Sequence, residues 1–425
     1  MKDLVKLLEK NDKISGYRIT EKSTRSHELF FVHRDLETVR VTDTVFSSVT
    51  VYVDHDGKTG DSTFAVYSSM SDEDIEKKID TAAFRATLVS NEPYELPECG
   101  TLDAALPTNL DEFDAKELGA KIADAVYAAD NVEGGSINAL EIFIYRDEIR
   151  VRNSRGIDKK QTVNRVMIEA IPTFTTEKES VELYEDHRFT EFDAAKVTAE
   201  IAEKMKEVEA RSKAVKPETP LEVNVLLRPY EISELLAEIA YDLNYASVYS
   251  HANLHKIGDD LQAGDDNDKL TATLKAVIEG SERSAYFDDD GTELTDTCII
   301  KDGIVSSYFG SHRFGQYLKV EKPSGSLRCV QLAPGTLTED EIEREPYIEC
   351  VSMSGLQLDL YNDYIGGEIR LAYYFDGEKK YPVTGITMSA KLSDVLSSLR
   401  LSEKTEVSGA YKGPSRLLMK KVSVL

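Results

Sequence analysis

Cysteine and long apolar runs are scarce in this chain of 425 residues, and each scarcity excludes a class of protein. The four cysteines lie far apart without a Cys-x-x-Cys pair, which argues against a disulfide framework or a thiolate zinc knuckle. No run of about eighteen uncharged apolar residues occurs, so we expect no membrane span, and the N-terminus lacks the apolar stretch of a signal peptide. A reducing cytoplasm fits this composition best.

Basic residues are also scarce relative to acidic ones. The chain has 51 Lys and Arg against 77 Asp and Glu, which gives a formal net charge of −26. A negative net charge of this size repels phosphate backbones and anionic lipid surfaces, so we expect neither nucleic acid nor membranes as partners. Hydrophobic residues make up 41 % of the chain. That content and the chain length predict a globular protein of two or three domains.

The order of helical and strand-like patterns predicts an α+β fold in two halves. Residues 1–216 combine sheet and helices, and the units 1–100 and 101–216 share a plan that suggests an internal duplication. The segment KPETPLE marks the predicted boundary. Residues 217–425 contain many short strand-like pieces with glycine turns and few helices, which predicts a largely antiparallel sheet or a partial barrel.

One helical segment, ELLAEIAYDL (234–243), has an acidic face. Glu234, Glu238 and Asp242 recur every four residues, opposite a row of leucine and isoleucine. An acidic row of this kind is typical of the solvated side of a surface helix. It also raises the question of whether the carboxylates carry chemistry.

The densest group of metal-binding residue types lies in and just after this segment. Glu238, Asp242, His251 and His255 fall within eighteen residues of one another. The two histidines are four apart and would share a face if their segment were helical, but SVYSHANLHKIGDD also fits a loop with two solvated histidines. No nucleophile elbow and no glycine-rich phosphate loop is found in the sequence.

The motif order of the C-terminal half resembles that of the TldD/PmbA family, also called modulators of DNA gyrase. The resemblance spans about residues 15–425 and depends on the order of KIGDDL, SAYFDDDGTELTDTCIIKDGIV, LAPGTLT, GLQLDL, YPVTGITMSAKLSDVLSSL and SGAYKGPSRLLMKKVSV. In the metal-bearing TldD branch, the helix at this place carries His-Glu-x-x-x-His, and a cysteine further on completes a zinc-peptidase site. On this chain the motif falls on Ala237, Glu238 and Asp242, and the cysteine position falls within SEKTEVSGAYKGP, which has none.

This departure resembles the metal-free TldE/PmbA branch, whose members pair with a TldD subunit. The resemblance therefore implies a chain without catalytic residues or a cofactor of its own, with zinc expected only in a homologous TldD-like partner that cleaves small or unfolded peptides. A homodimer is the fallback assembly. Two alternatives stay open: a self-sufficient metallopeptidase with a site rebuilt from Asp242, His251 and His255, and a stand-alone peptide-binding protein.

Overall fold

The computed structural model describes residues 4–217, 220–264 and 267–425, and it shows an α+β protein. No helix in these ranges is long and apolar enough to cross a membrane. The predicted boundary segment KPETPLE includes residues 218 and 219, which lie outside the described ranges. The division into domains at this point stays a prediction.

Within residues 4–217, the N-terminal part forms one curved sheet covered by four α-helices. Its strands are β1 (Gly16–Val32), β2 (Asp35–His55), β3 (Lys58–Val66), β4 (Gly100–Ala105), β5 (Gly135–Asn153), β6 (Ile157–Thr175), β7 (Ser180–Glu182) and β8 (Glu185–Phe189). Its α-helices are α1 (Leu4–Glu9), α2 (Asp72–Ala86), α3 (Ala115–Ala128) and α4 (Ala194–Lys213), with a short 3-10 helix at Leu110–Glu112. The sheet order is β3-β2-β1-β5-β6, and β4, β7 and β8 pair with the far edge of β6. All pairings are antiparallel except that of β4 with β6.

The same order of elements occurs twice around the centre of this sheet. In the first unit α1 precedes β1, β2 and β3, and α2 follows; in the second unit α3 precedes β5, β6 and β8, and α4 follows. The first strands of the two units, β1 and β5, lie side by side and antiparallel. The helices of each unit pack on an apolar cluster of their own. Both units contribute to a single sheet, and the internal duplication stays a prediction.

The C-terminal part contains a closed ring of strands. The strands of this part are β9 (Leu221–Leu227), β10 (Ala272–Lys275), β11 (Thr297–Lys301), β12 (Ile304–Val305), β13 (Cys329–Leu332), β14 (Tyr347–Met353), β15 (Gln357–Asp359), β16 (Tyr364–Phe375), β17 (Lys380–Val383), β18 (Ile386–Lys391), β19 (Arg400–Leu401), β20 (Thr405–Ser408), β21 (Tyr411–Pro414) and β22 (Leu417–Val424). Five of them close in the order β14-β9-β22-β18-β16, because β16 pairs with β14. Only β9 and β14 are parallel in this ring.

The remaining strands differ in one respect from the predicted single sheet or partial barrel. Strands β12-β11-β10-β13-β21-β20 form a second sheet, in which β13 and β21 are parallel. The expectation of one sheet or a partial barrel was therefore incomplete: the barrel is closed and a separate sheet lies beside it. Strand pairings between residues far apart in sequence, such as β9 with β22, close the ring, and local strand patterns do not reveal them.

Among the described residues of the C-terminal part, five helices accompany these strands. They are α5 (Pro229–Asp242), α6 (Tyr245–Tyr249), α7 (His312–Tyr317), α8 (Glu339–Ile342) and α9 (Leu392–Ser398). The helix α5 contacts β9 of the ring and β20 and β21 of the second sheet. Its apolar side chains join one continuous core with residues of both sheets. The acidic face singled out in the sequence is thus held on a well-anchored helix.

Candidate functional site

The helix α5 forms where the apolar spacing predicts it. Extended Arg228 precedes the helix, and Pro229 occupies the first helical position, where a missing N–H costs no hydrogen bond. Leu235, Leu236 and Ile239 are at most 2 % exposed and point into the core. This burial fixes the rotation of the helix, and it therefore fixes the direction of each acidic side chain.

The acidic face is not uniform. Glu234 is half-buried, and its Oε2 accepts a hydrogen bond from the Leu356 backbone N–H at 3.2 Å. Glu238 is half-buried and has no hydrogen-bond or ion-pair partner among the described residues. Asp242, one turn further, is only 4 % exposed. The interpretation as a solvated face was wrong for Asp242, because the segment after α6 folds over it.

Asp242 holds that segment in place through three hydrogen bonds. Its Oδ1 accepts from the Leu254 N–H at 2.6 Å, and its Oδ2 accepts from the His255 N–H at 3.1 Å. The same Oδ2 lies 2.9 Å from His255 Nδ1. Both carboxylate oxygens of Asp242 therefore already accept hydrogen bonds. The carboxylate also orients the imidazole ring of His255, whose other nitrogen, Nε2, points away from Asp242.

The two histidines do not share a helical face. The helix α6 ends at Tyr249, and His251 is an exposed residue in the left-handed region at φ 57°. The loop interpretation is confirmed for His251, whereas His255 is partly covered and paired with Asp242. Of the proposed alternative ligands, only Asp242 and His255 come together.

The positions that would carry a zinc motif do not fit that metal. Ala237 is exposed and offers only a methyl group, and both oxygens of Asp242 serve the following loop. The segment that would supply a cysteine forms the hairpin of β20 and β21 instead. In the ranges that the structure describes, no group of three or more His, Cys, Asp or Glu side chains is arranged to hold a metal ion. Catalytic zinc needs three protein ligands and an open position.

A second ionic group, not apparent in the sequence, lies at the start of α5. Here Glu349 is surrounded by Arg228, Lys380 and Arg416, and we call these four residues the Glu349 cluster. The carboxylate is 6 % exposed and meets the three cations at 3.2, 3.0 and 2.8 Å. The four residues are far apart in the chain: Arg228 follows β9, Glu349 lies in β14, Lys380 lies in β17 and Arg416 precedes β22. Local spacing carries no signal for such a group.

Comparisons with known proteins agree with this architecture. Residues 220–425 match the family model described as the PmbA/TldA metallopeptidase C-terminal domain. Among solved structures, TldE from Thermococcus kodakarensis is 15% identical with a TM-score of 0.80, and the match covers 99% of each chain. A protein described as a modulator of DNA gyrase from Thermotoga maritima is 16% identical with a TM-score of 0.76 over 99% of this chain and 98% of that one.

A third solved structure extends the same likeness. A protein also described as a modulator of DNA gyrase, from Bacteroides thetaiotaomicron, is 14% identical with a TM-score of 0.79 over 99% of this chain and 97% of that one. No curated protein matches the chain. At these identities the three structures establish a shared fold over the whole chain.

Proposed function

Because this chain belongs to the PmbA/TldD family, we propose that it is the metal-free, TldE-like subunit of a peptidase complex. In this proposal a homologous TldD-like subunit supplies the zinc and the hydrolytic chemistry, and the complex cleaves small or unfolded peptides. The observation that carries the proposal is the donor set of α5. Ala237 provides no ligand atom, and Asp242 is committed to the loop that follows α6.

The state of Glu238 supports the same assignment. In a zinc peptidase the corresponding glutamate removes a proton from metal-bound water, whose pKa the metal lowers to about 7. Around Glu238 the described residues offer no ligand set that would hold such a metal. Glu238 therefore has no activated water to deprotonate, and in this proposal its carboxylate takes no part in hydrolysis.

The rebuilt-site alternative finds less support. It needs Asp242, His251 and His255 to bind one ion, but Asp242 uses both oxygens for backbone and imidazole donors. Binding a metal there would release Leu254 and His255 from their anchor. His251 lies exposed four residues before His255 in a chain segment that is not helical.

Metal analysis of the chain purified alone, without a histidine tag, tests this part of the proposal. We expect less than about 0.1 equivalents of zinc, since the neutral nitrogen and thiolate donors that zinc prefers are missing from α5 and from the β20–β21 hairpin. One zinc per chain that is lost in His255→Ala would establish the rebuilt site and overturn the metal-free assignment.

Reconstitution with the metal-bearing relative from the same organism tests the partnership. We expect a mixed species in size-exclusion chromatography and cleavage of an unstructured peptide by the mixture. The obligate interface should bury on the order of 2,000 Å² or more. If the relative is fully active alone and no mixed species forms at micromolar concentration, this chain is not its subunit. Binding of the peptide by this chain alone would then favour a stand-alone peptide-binding protein.

A further inference from the structure

A cavity of about 480 Å³ opens between the middle of α4 and one end of the strand ring. Its polar lining consists of Glu203, Arg228, Glu349, Lys380 and Arg416. The site lies on the seam between the N-terminal sheet, to which α4 belongs, and the C-terminal ring. Seams of this kind are common places for small-molecule sites, and this volume suits a small organic molecule.

Strand register places an apolar wall beside these charges. Glu349 on β14 faces Tyr373 on β16, and Tyr373 in turn faces Pro382 on β17. Directly paired residues in antiparallel strands point to the same side of a sheet, so these three side chains share one face. The Tyr373 ring and Pro382 form the apolar part of the lining, next to the Lys380 ammonium, which lies 5.4 Å from the Tyr373 ring centroid.

Charges of both signs surround this cavity. The carboxylate of Glu349 accepts from three cations, and the second buried carboxylate, Glu207, is shared by Arg228 and Lys204. Glu203 in the lining and the buried Glu231 near Arg228 bring the carboxylates to four, against four cations. A cleft that offers charges of both signs favours a ligand that itself carries both signs over a simple anion.

Individual donors are left over for a ligand. Arg416 uses one terminal nitrogen for Glu349 and the other for the Ser415 carbonyl, and its Nε has no partner among the described residues. The Lys380 ammonium has three N–H groups, of which Glu349 accepts one at 3.0 Å. Glu203, on α4, is exposed and lies 3.7 Å from the Lys206 ammonium. The lining therefore offers donors from the C-terminal part and an acceptor from α4.

We propose that this cavity binds a free amino acid in its zwitterionic form. The ligand's carboxylate contacts Arg416 and Lys380, its ammonium contacts Glu203, and an apolar side chain lies on Tyr373 and Pro382. A doubly charged phosphate fits less well, because Glu203 and Glu349 repel the second negative charge. The site goes beyond the proposed peptidase partnership and does not depend on it.

Isothermal titration calorimetry of the full chain with L-phenylalanine tests the proposal. We expect saturable binding with a dissociation constant of about 1 mM or tighter. L-Phenylalaninamide, which lacks the carboxylate, should not bind, and N-acetyl-L-phenylalanine, which lacks the ammonium, should bind about tenfold more weakly. Absence of saturable L-phenylalanine binding overturns the proposal, as does tighter binding of inorganic phosphate than of L-phenylalanine.

Two variants assign the contacts, with a matched control. Arg416→Gln should weaken L-phenylalanine binding about tenfold or more, whereas Arg370→Gln, which removes an exposed cation from β16 outside the lining, should leave it unchanged. Glu203 lies on the exposed side of α4, so Glu203→Gln does not disturb the core. It should remove the preference for L-phenylalanine over its N-acetyl derivative. Unchanged binding and preference in both Arg416→Gln and Glu203→Gln would overturn the assignment.

Discussion

Acidic side chains at the two ends of α5 show how differently the same carboxylate can be used. At the C-terminal end, Glu238 has no partner among the described residues, while Asp242 on the same face is buried under a loop. At the N-terminal end, Glu231 is 5 % exposed, and the nearby Glu349 is bound by three cations. Helical spacing groups Glu238 with Asp242, but their tertiary surroundings separate them.

The pair at the N-terminal end differs in electrostatics as well. Burial raises the pKa of Glu231 to about 7, and a backbone N–H donor and the nearby Arg228 guanidinium offset it only in part. Burial alone would also raise the pKa of Glu349, but Arg416, Arg228 and Lys380 together lower it to about 2. The two carboxylates are thus expected to affect stability in opposite directions as the pH changes.

The largest effect is expected when Glu349 loses its charge. Glu349→Gln keeps the shape of the side chain but leaves Arg228, Lys380 and Arg416 without their shared counter-charge, so it should lower the free energy of unfolding by about 3–5 kcal/mol. The control Glu378→Gln, in the exposed turn after β16, should change it by less than about 0.5 kcal/mol. Urea denaturation measures both. Equal effects would mean that the Glu349 cluster has no special role in stability.

Asp242→Ala should come next in size. It leaves the Leu254 and His255 N–H groups without their acceptor, and we expect a loss of about 3 kcal/mol. Glu238→Ala, one turn earlier on the same face, serves as the matched control and should cost no more than about 0.5 kcal/mol. Hydrogen exchange of the Leu254 and His255 amides should accelerate only in Asp242→Ala. Comparable losses in both variants would restore the interpretation of one uniform acidic face.

The pH dependence of stability distinguishes Glu231 from Glu349. Since the pKa of Glu231 is raised from 4.5 to about 7, the folded chain holds this proton more tightly, and the associated stability is lost as the pH rises through that window. Glu231→Gln imitates the protonated form and should raise the free energy of unfolding by about 2 kcal/mol near pH 8, with little change below pH 4.5.

The acid side of the same stability profile reports on Glu349. Its pKa is lowered from 4.5 to about 2, so its contribution is present above about pH 4.5 and is lost as the pH falls through that window. Glu231→Gln should leave this acid limb intact, whereas Glu349→Gln should flatten it. Chemical denaturation at a series of pH values measures both limbs. A variant that changed the opposite limb would show that the two carboxylates are coupled.

The sequence predicts those features that depend on residues close together in the chain, and it misses those that depend on distant residues. The helix α5 and its apolar face depend on residues within fourteen positions, so periodicity is sufficient to locate them. The burial of Asp242 depends on a loop that returns twelve residues later, and the Glu349 cluster depends on partners up to 121 positions away. Strand closure shows the same limit, since β9 at the start of the C-terminal part pairs with β22 at its end. Contacts of that separation leave no periodic trace in the chain.

The smallest effect is expected at Glu238, where the comparison bears directly on function. Glu238→Gln should change peptide cleavage by the reconstituted complex less than about twofold, because a general base contributes about 10²- to 10⁴-fold only when it reaches an activated water. The surroundings of Glu238 provide neither a metal ligand set nor a hydrogen-bonded partner among the described residues. Initial rates with an unstructured peptide, at equal amounts of mixed complex, measure the change. A hundredfold loss with the complex still formed would show that this carboxylate is catalytic and that the acidic face of α5 belongs to the active site.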